Sequence, residues 1–234
     1  MVVEPVVVEL PLRGEWNAYN TPGHVIPSHG TDLLGQTYAY DFIQRDWNFP
    51  KSIRLSTKPR LQALLFGERL QECMAWSKPY YAPFSGEIVE ARDGVAERDP
   101  VHIVRDLLFV IKSGVNISKF KKAECNSDLQ YLLGNYIILR GDNAFAMFAH
   151  SRTGSICVGA GERVAVGQKL AEVGHSGNST GPHLHFQLMD GPDLLTAKGM
   201  PCCFREYELY ENGLWRKISD GIPTRTDHVR LRDA

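Results

Sequence analysis

The chain has 234 residues, 43% of them hydrophobic, and a formal net charge of -1. That is long enough for a substantial core in one domain or two small ones. The charge balance points away from a nucleic-acid footprint or a basic membrane surface, and no apolar run approaches the length that spans a bilayer. Residues Met1 to Pro11 lack the positive start and unbroken apolar stretch of a signal peptide, so a cytoplasmic location is expected unless the chain is exported by another route. Five cysteines, an odd number with Cys202 and Cys203 adjacent and no close-spaced metal pair, suggest buried free thiols.

A valine-rich opening over residues 3 to 10 reads as a strand, and a loop with Gly14, Trp16, Pro22 and Gly23 follows. His24, His29, Asp32 and Asp41 come next. Tyr38 to Ile43 reads as a strand with Tyr38, Tyr40 and Phe42 on one face and Ala39, Asp41 and Ile43 on the other. A carboxylate on that inward face is costly unless something cationic meets it. Asp32 sits instead among Gly30, Thr31 and Gly35, in a loop.

Between residues 50 and 79 the leucines Leu61, Leu64, Leu65 and Leu70, with Cys73 and Met74, have helix-like spacing broken near Gly67. A second helix is expected after Asp99, as cap, and Pro100, as first helical residue, with Val101, Val104, Leu108 and Ile111 inward and Gly114 as the stop. The run Lys119, Lys121, Lys122 reads as a solvated face. Strands are expected at Tyr136 to Arg140 and Phe145 to His150, the second placing Ala146, Phe148 and His150 on one face. Short strands at 154–158 and 167–173 follow. A hairpin is expected at about 204–218 with Asn212-Gly213 at its tip, then a loose polar tail after Pro223. On these residues alone, His150 is either a pocket residue or a strand-end histidine.

The segment Gly174-His175-Ser176-Gly177-Asn178-Ser179-Thr180-Gly181-Pro182-His183-Leu184-His185-Phe186 joins a glycine-rich turn to a strand. Alternation puts His183 and His185 on one face and Leu184, Phe186 and Leu188 on the other, core face. Two imidazoles side by side on a strand can share one metal ion, or one can bind it while the other handles protons. This segment resembles the signature of the lysostaphin-type, or LytM-like, zinc metallopeptidases, whose members cut peptide cross-links in bacterial cell walls. The resemblance extends upstream through Gly134 to Leu139, Met147 to His150 and Gly161 to Leu170, covering residues 134 to 188.

The resemblance implies a mainly β fold, an antiparallel sheet or sandwich with two helical insertions, in a single domain over 1–234. Its core motifs fall at 24–43, 80–94 and 134–190, and its insertions at about 50–79 and 97–130. It implies a Zn2+ ion held by His29, Asp41 and His185, with His183 as general base and His150 as hydrogen-bond donor to the oxyanion, the last two roles being interchangeable. The substrate it implies is a peptide or peptidoglycan cross-link. One departure stands out: the family's first two ligands are a histidine and an aspartate four positions apart, whereas His29 and Asp41 are twelve apart. Asp41 is preferred to Asp32 for its strand, and His29 to His24 for its nearness to that strand. Two other readings remain: an inactive LytM-like binding or regulatory module and, from Gly161 to Val173, a biotin- or lipoate-carrier domain, disfavoured because no lysine occupies the hairpin after Leu170.

Overall fold

The computed structural model describes residues 4–49, 53–114 and 123–232. Its strands are β1 (Val6–Val8), β2 (Gly14–Asn20), β3 (Tyr40–Ile43), β4 (Pro79–Tyr81), β5 (Gly86–Arg92), β6 (Asn135–Arg140), β7 (Phe145–Ser151), β8 (Arg163–Val164), β9 (Lys169–Glu172), β10 (Leu184–Met189), β11 (Gly199–Met200), β12 (Cys202–Glu211), β13 (Leu214–Gly221) and β14 (Val229–Leu231). The helices are α1 (Arg60–Phe66), α2 (Ile103–Gly114) and α3 (Gln130–Leu133). A large sheet runs β1-β12-β14-β2-β3-β10-β7-β6-β5-β8, and β4 pairs with β9 apart from it. The pairings are antiparallel except that β1 runs parallel to β12. The chain is mainly β, as the sequence implied. Among the described residues no helix is long and apolar enough to cross a membrane.

Both faces of the central strands are covered, so β10 is buried along its whole length and β6 over all but its last residue. Tyr40, Phe42, Ile137, Phe148, Leu184 and Phe186 point into the main core, where Phe148 and Phe186 lie with ring centroids 5.4 Å apart. Tyr136, Ile138, Met147, Ala149 and Met189 face the opposite way and are capped by Leu129, Leu133 and Leu194. Asp41, His185 and Gln187 belong to that second face by alternation, so the sheet delivers polar side chains to a place whose backbone is already fixed.

Several local expectations need correction. Tyr38 lies in a 3-10 turn, and strand β3 begins at Tyr40. Helix α2 begins at Ile103 rather than after Asp99, because Asp106 reaches back to accept the His102 N–H, while Asp99 accepts from Leu70 N. Its inward side is also different: Val104, Leu108 and Ile111 are half or more exposed, whereas Asp106 is fully buried. Leu61, Leu64 and Leu65 of α1 are likewise exposed. Residues 154–158 form no strand; Cys157 N donates to Leu170 O from an extended loop. The tail is not loose throughout, since β14 pairs with both β2 and β12. Cys125 and Cys157 are exposed, whereas Cys73, Cys202 and Cys203 are buried. Lys119, Lys121 and Lys122 lie outside the described residues.

Candidate metal centre

The register β3-β10-β7 sets Asp41 opposite His185 and His185 opposite Ala149. His29 arrives from the loop before β3, and its ligand atom, with those of Asp41 and His185, falls in a group whose members lie within 4.8 Å of one another. His29 Nε2 is 2.9 Å from Asp41 Oδ2, and His185 Nδ1 is 2.9 Å from Asp41 Oδ1. His183 Nε2 stands 3.6 Å from Asp41 Oδ1. The ring of His150 lies 4.8 Å from that of His183 and 6.0 Å from that of His185. His24 and Asp32 are both exposed and are not members of that group.

His150 reaches this place against the strand alternation. Ala146 and Phe148 are in the main core, and strict alternation would send His150 there too. Instead His150 takes φ +65°, a left-handed conformation that is uncommon outside glycine, and its ring turns toward His183. The Gly174–Gly181 turn is held by close packing. A Cβ on Gly177, at φ +67°, would lie 2.3 Å from Gly134 N, so both positions demand glycine.

Each of the four imidazoles has one nitrogen tied to the protein. Gln187 Nε2 donates to Leu34 O at 2.7 Å, which orients its Oε1 to accept the His185 Nε2–H at 2.9 Å. Ser28 Oγ donates to Ala39 O and so accepts the His29 Nδ1–H at 3.0 Å. His183 Nδ1–H donates to Gly181 O at 2.8 Å, and His150 Nδ1–H donates to Ser176 O at 2.9 Å. The other nitrogen of each ring is therefore left as a lone pair. Those of His29, His183 and His185 face a carboxylate that accepts from Asn20 Nδ2, at 2.6 Å from Oδ2. Lone pairs confronting a buried anion repel unless a proton or a cation lies between them.

The titration of the site follows from the same geometry. Burial opposes the charge on Asp41, yet the closeness of His29, His183 and His185 holds its carboxyl well below the usual range. Burial pulls His29 down, and the Asp41 charge more than offsets this, leaving it raised. His150 is driven well down by burial, with His183 and His185 adding to the effect, and His183 is lowered chiefly by burial. A nitrogen, oxygen and nitrogen donor set with one negative charge and neutral imidazoles suits a divalent ion of zinc's preference, and the outer partners Gln187 and Ser28 fix the ring orientation such a site needs.

Over residues 113–196 this chain matches Peptidase family M23. The resemblance read from the sequence holds. The M23 match takes in His150, His183 and His185 and ends short of His29 and Asp41 on the N-terminal side. The Peptidoglycan DD-endopeptidase ShyA of Vibrio cholerae serotype O1 is 36% identical over 56 residues, which are 24% of this chain and 13% of that protein. The aligned stretch thus spans a small part of that relative's length. Among solved structures, the catalytic domain of the antimicrobial peptidase lysostaphin from Staphylococcus simulans aligns over 80% of this chain and 88% of its own, at 20% identity and a TM-score of 0.39. A zinc containing peptidase from Vibrio cholerae aligns over 83% of this chain and 37% of its own, at 17% identity and a TM-score of 0.34.

Other residues of the site have weaker sequence signals. Gln187 follows His185 by two on one strand face, and alternation alone could have found it. Nothing in the sequence marks Asn20, Ser28 or the buried set behind the turn. There Arg98 donates to Gly177 O and Ser179 O, both at 2.7 Å, and to Asp106 Oδ1 at 2.9 Å. His175, sealed from solvent, lies between Asp106 Oδ2 at 3.5 Å and Ser179 Oγ at 3.0 Å, and Ser179 Oγ is in turn 3.2 Å from His183 Nδ1. Asp106 thereby ties α2 to the turn that carries His183. The cluster opens into a cavity of about 700 Å³ lined by Asp41 and His183 on one side and by the 53–68 segment on the other.

Proposed function

We propose that this chain is a zinc-dependent metalloendopeptidase that hydrolyses peptide bonds in peptidoglycan cross-links or related peptides. The observation that carries the reading is the convergence of imidazole lone pairs on the buried Asp41 carboxylate, beside a cavity wide enough for a peptide. His29 Nε2, an oxygen of Asp41 and His185 Nδ1 would hold the metal. Zinc in such a site supplies Lewis acidity, polarising a carbonyl and bringing the pKa of a water to about 7.

The chain's own groups do the proton work. His183, anchored through Nδ1 on Gly181 O, offers Nε2 to the proton of the attacking water. Asp41 Oδ1, 3.6 Å away, stabilises the imidazolium that results. His150 is anchored through Nδ1 on Ser176 O, so it can donate to an oxyanion only when Nε2 also carries a proton. Burial and the neighbouring rings oppose that charge in the resting site, and the negative oxygen of a tetrahedral species would favour it. The Asp41 contact supports His183 over His150 in the base role. The family relationship supports the substrate class, since the matched relative is by name a peptidoglycan endopeptidase.

Digestion of purified cell-wall cross-link peptides and of pentaglycine by the zinc-loaded protein tests this reading, with products identified by mass spectrometry. Cleavage that is lost on chelation and restored by zinc is expected. A protein that binds zinc in full and cleaves neither substrate class would be a binding module on the same fold.

A further inference from the structure

The cavity beside the cluster has a wall that the proposed chemistry does not use. Its apolar part comes from Leu55, Leu64 and Val101, and its charged part from Arg54, Lys58 and Glu68. Two of those charges are already engaged. Lys58 Nζ donates to Gly67 O at 3.0 Å and to Glu72 Oε2 at 3.3 Å, and Glu68 accepts from Ser56 Oγ.

Arg54 is different. Its guanidinium lies over the ring of Phe49, 3.4 Å from the centroid, which fixes its plane. Its Nε is sealed from solvent without a hydrogen-bond partner, and no described group accepts from its terminal nitrogens. A guanidinium is always charged and offers a rigid fork of donors that matches a carboxylate in two-point contact. Here the fork sits in a low-polarity wall where the attraction is poorly screened. A wall built this way selects for an anion of carboxylate geometry in whatever occupies the cavity.

We propose that the cavity is a subsite for a substrate carboxylate with Arg54 as its receptor, so that peptides bearing a free carboxylate near the bond presented to the cluster are preferred. The proposal rests on reading the cluster as a peptidase site, and it adds the substrate's charge. Glu68, on the same wall, disfavours a ligand with more than one negative group close together, and the apolar residues favour an aliphatic side chain next to the carboxylate.

The test is a binding comparison between N-acetyl-Gly-Gly-Ala-Leu with a free C-terminus and the same peptide as its C-terminal amide, followed by calorimetry. Each is titrated into the protein with added zinc and into metal-stripped protein, for the native chain, Arg54→Met and Arg54→Lys. The acid should bind about tenfold tighter than the amide in the native chain. That preference should persist without metal, vanish in Arg54→Met and return in part in Arg54→Lys. Affinity for the amide reports the integrity of the cavity; should Arg54→Met lose it, Arg54→Gln is judged by the same ratio. Equal binding of acid and amide by the native chain, binding of neither, a preference that survives Arg54→Met, or one that disappears with the metal would each overturn the subsite. Since the metal-stripped arm breaks no bond, a protein that prefers the acid there yet cleaves nothing when loaded with zinc refutes only the peptidase reading. A peptidase indifferent to the carboxylate refutes only the subsite.

Discussion

Replacing Gln187 by methionine isolates the outer support of the proposed zinc site. The side chain is fully buried, and methionine keeps its length and approximate volume while removing every donor and acceptor. Two hydrogen bonds go, the 2.9 Å contact with His185 Nε2 and the 2.7 Å contact with Leu34 O, leaving a buried N–H and a buried carbonyl without partners. The cost to the fold should be about 2–4 kcal/mol. The larger consequence is for the ring. Gln187 Oε1 holds the proton of His185 on Nε2 and so keeps Nδ1 bare toward Asp41; without it the proton can move to Nδ1, hydrogen-bond Asp41 and block the ligand position. Zinc affinity should fall about 10–100-fold. The assay is competition against a chromophoric chelator, with urea unfolding of the metal-free protein run in parallel. Gln187→Glu, which retains an acceptor for His185 and loses only the donor to Leu34, should bind zinc more tightly than Gln187→Met. An affinity for Gln187→Met within about threefold of the native value would refute the claim that this amide sets the ligand tautomer.

Other outcomes follow from neighbouring contacts. His185→Ala should abolish both zinc binding and cleavage, whereas His183→Ala should keep zinc, measured by elemental analysis, and lose activity by at least about a hundredfold; equal metal loss in both would break the division of labour. At position 150 the left-handed backbone reverses the usual order, so His150→Gly should be more stable than His150→Ala by about 1 kcal/mol in thermal melts. Asp106→Leu should destabilise the chain by about 3–5 kcal/mol in urea, because Arg98 and Arg105 lose a buried anion. Burial alone would raise the Glu172 carboxyl, but the donors Lys169, Ser77 and Arg152 hold it down at about 2 against an ordinary 4.5. A depressed carboxyl contributes stability in full above 4.5 that is lost as pH falls toward 2. The urea midpoint should therefore drop more from about pH 5 to about pH 3 in the native chain than in Glu172→Gln.

Much of this was legible in the sequence wherever a side chain's placement depends on strand alternation. His183, His185 and Asp41 could be set on their faces from the period of two, and Gln187 could have been. The pairing of distant strands was not legible, so the approach of His29 to Asp41 had to be argued from proximity along the chain and from family resemblance. His150 shows the limit in the other direction: alternation placed it with Phe148, and a single left-handed residue undid that. Helix α2 failed for a related reason. Its apolar spacing suggested an inward stripe, but the charges of Arg98, together with His175 behind the glycine turn, draw Asp106 inward and leave Val104, Leu108 and Ile111 outside. Periodicity registers what is apolar and is silent on a buried ion pair that decides which side turns in.

The central claim is that the Asp41 carboxylate and the imidazoles around it form one metal site. Zinc titration of the metal-free protein, compared with the same titration of Asp41→Asn, tests it most directly. The account predicts one tightly bound zinc per chain in the native protein and its loss in the variant. Tight zinc binding that is unchanged in Asp41→Asn, or no stoichiometric zinc in the native chain, would contradict it.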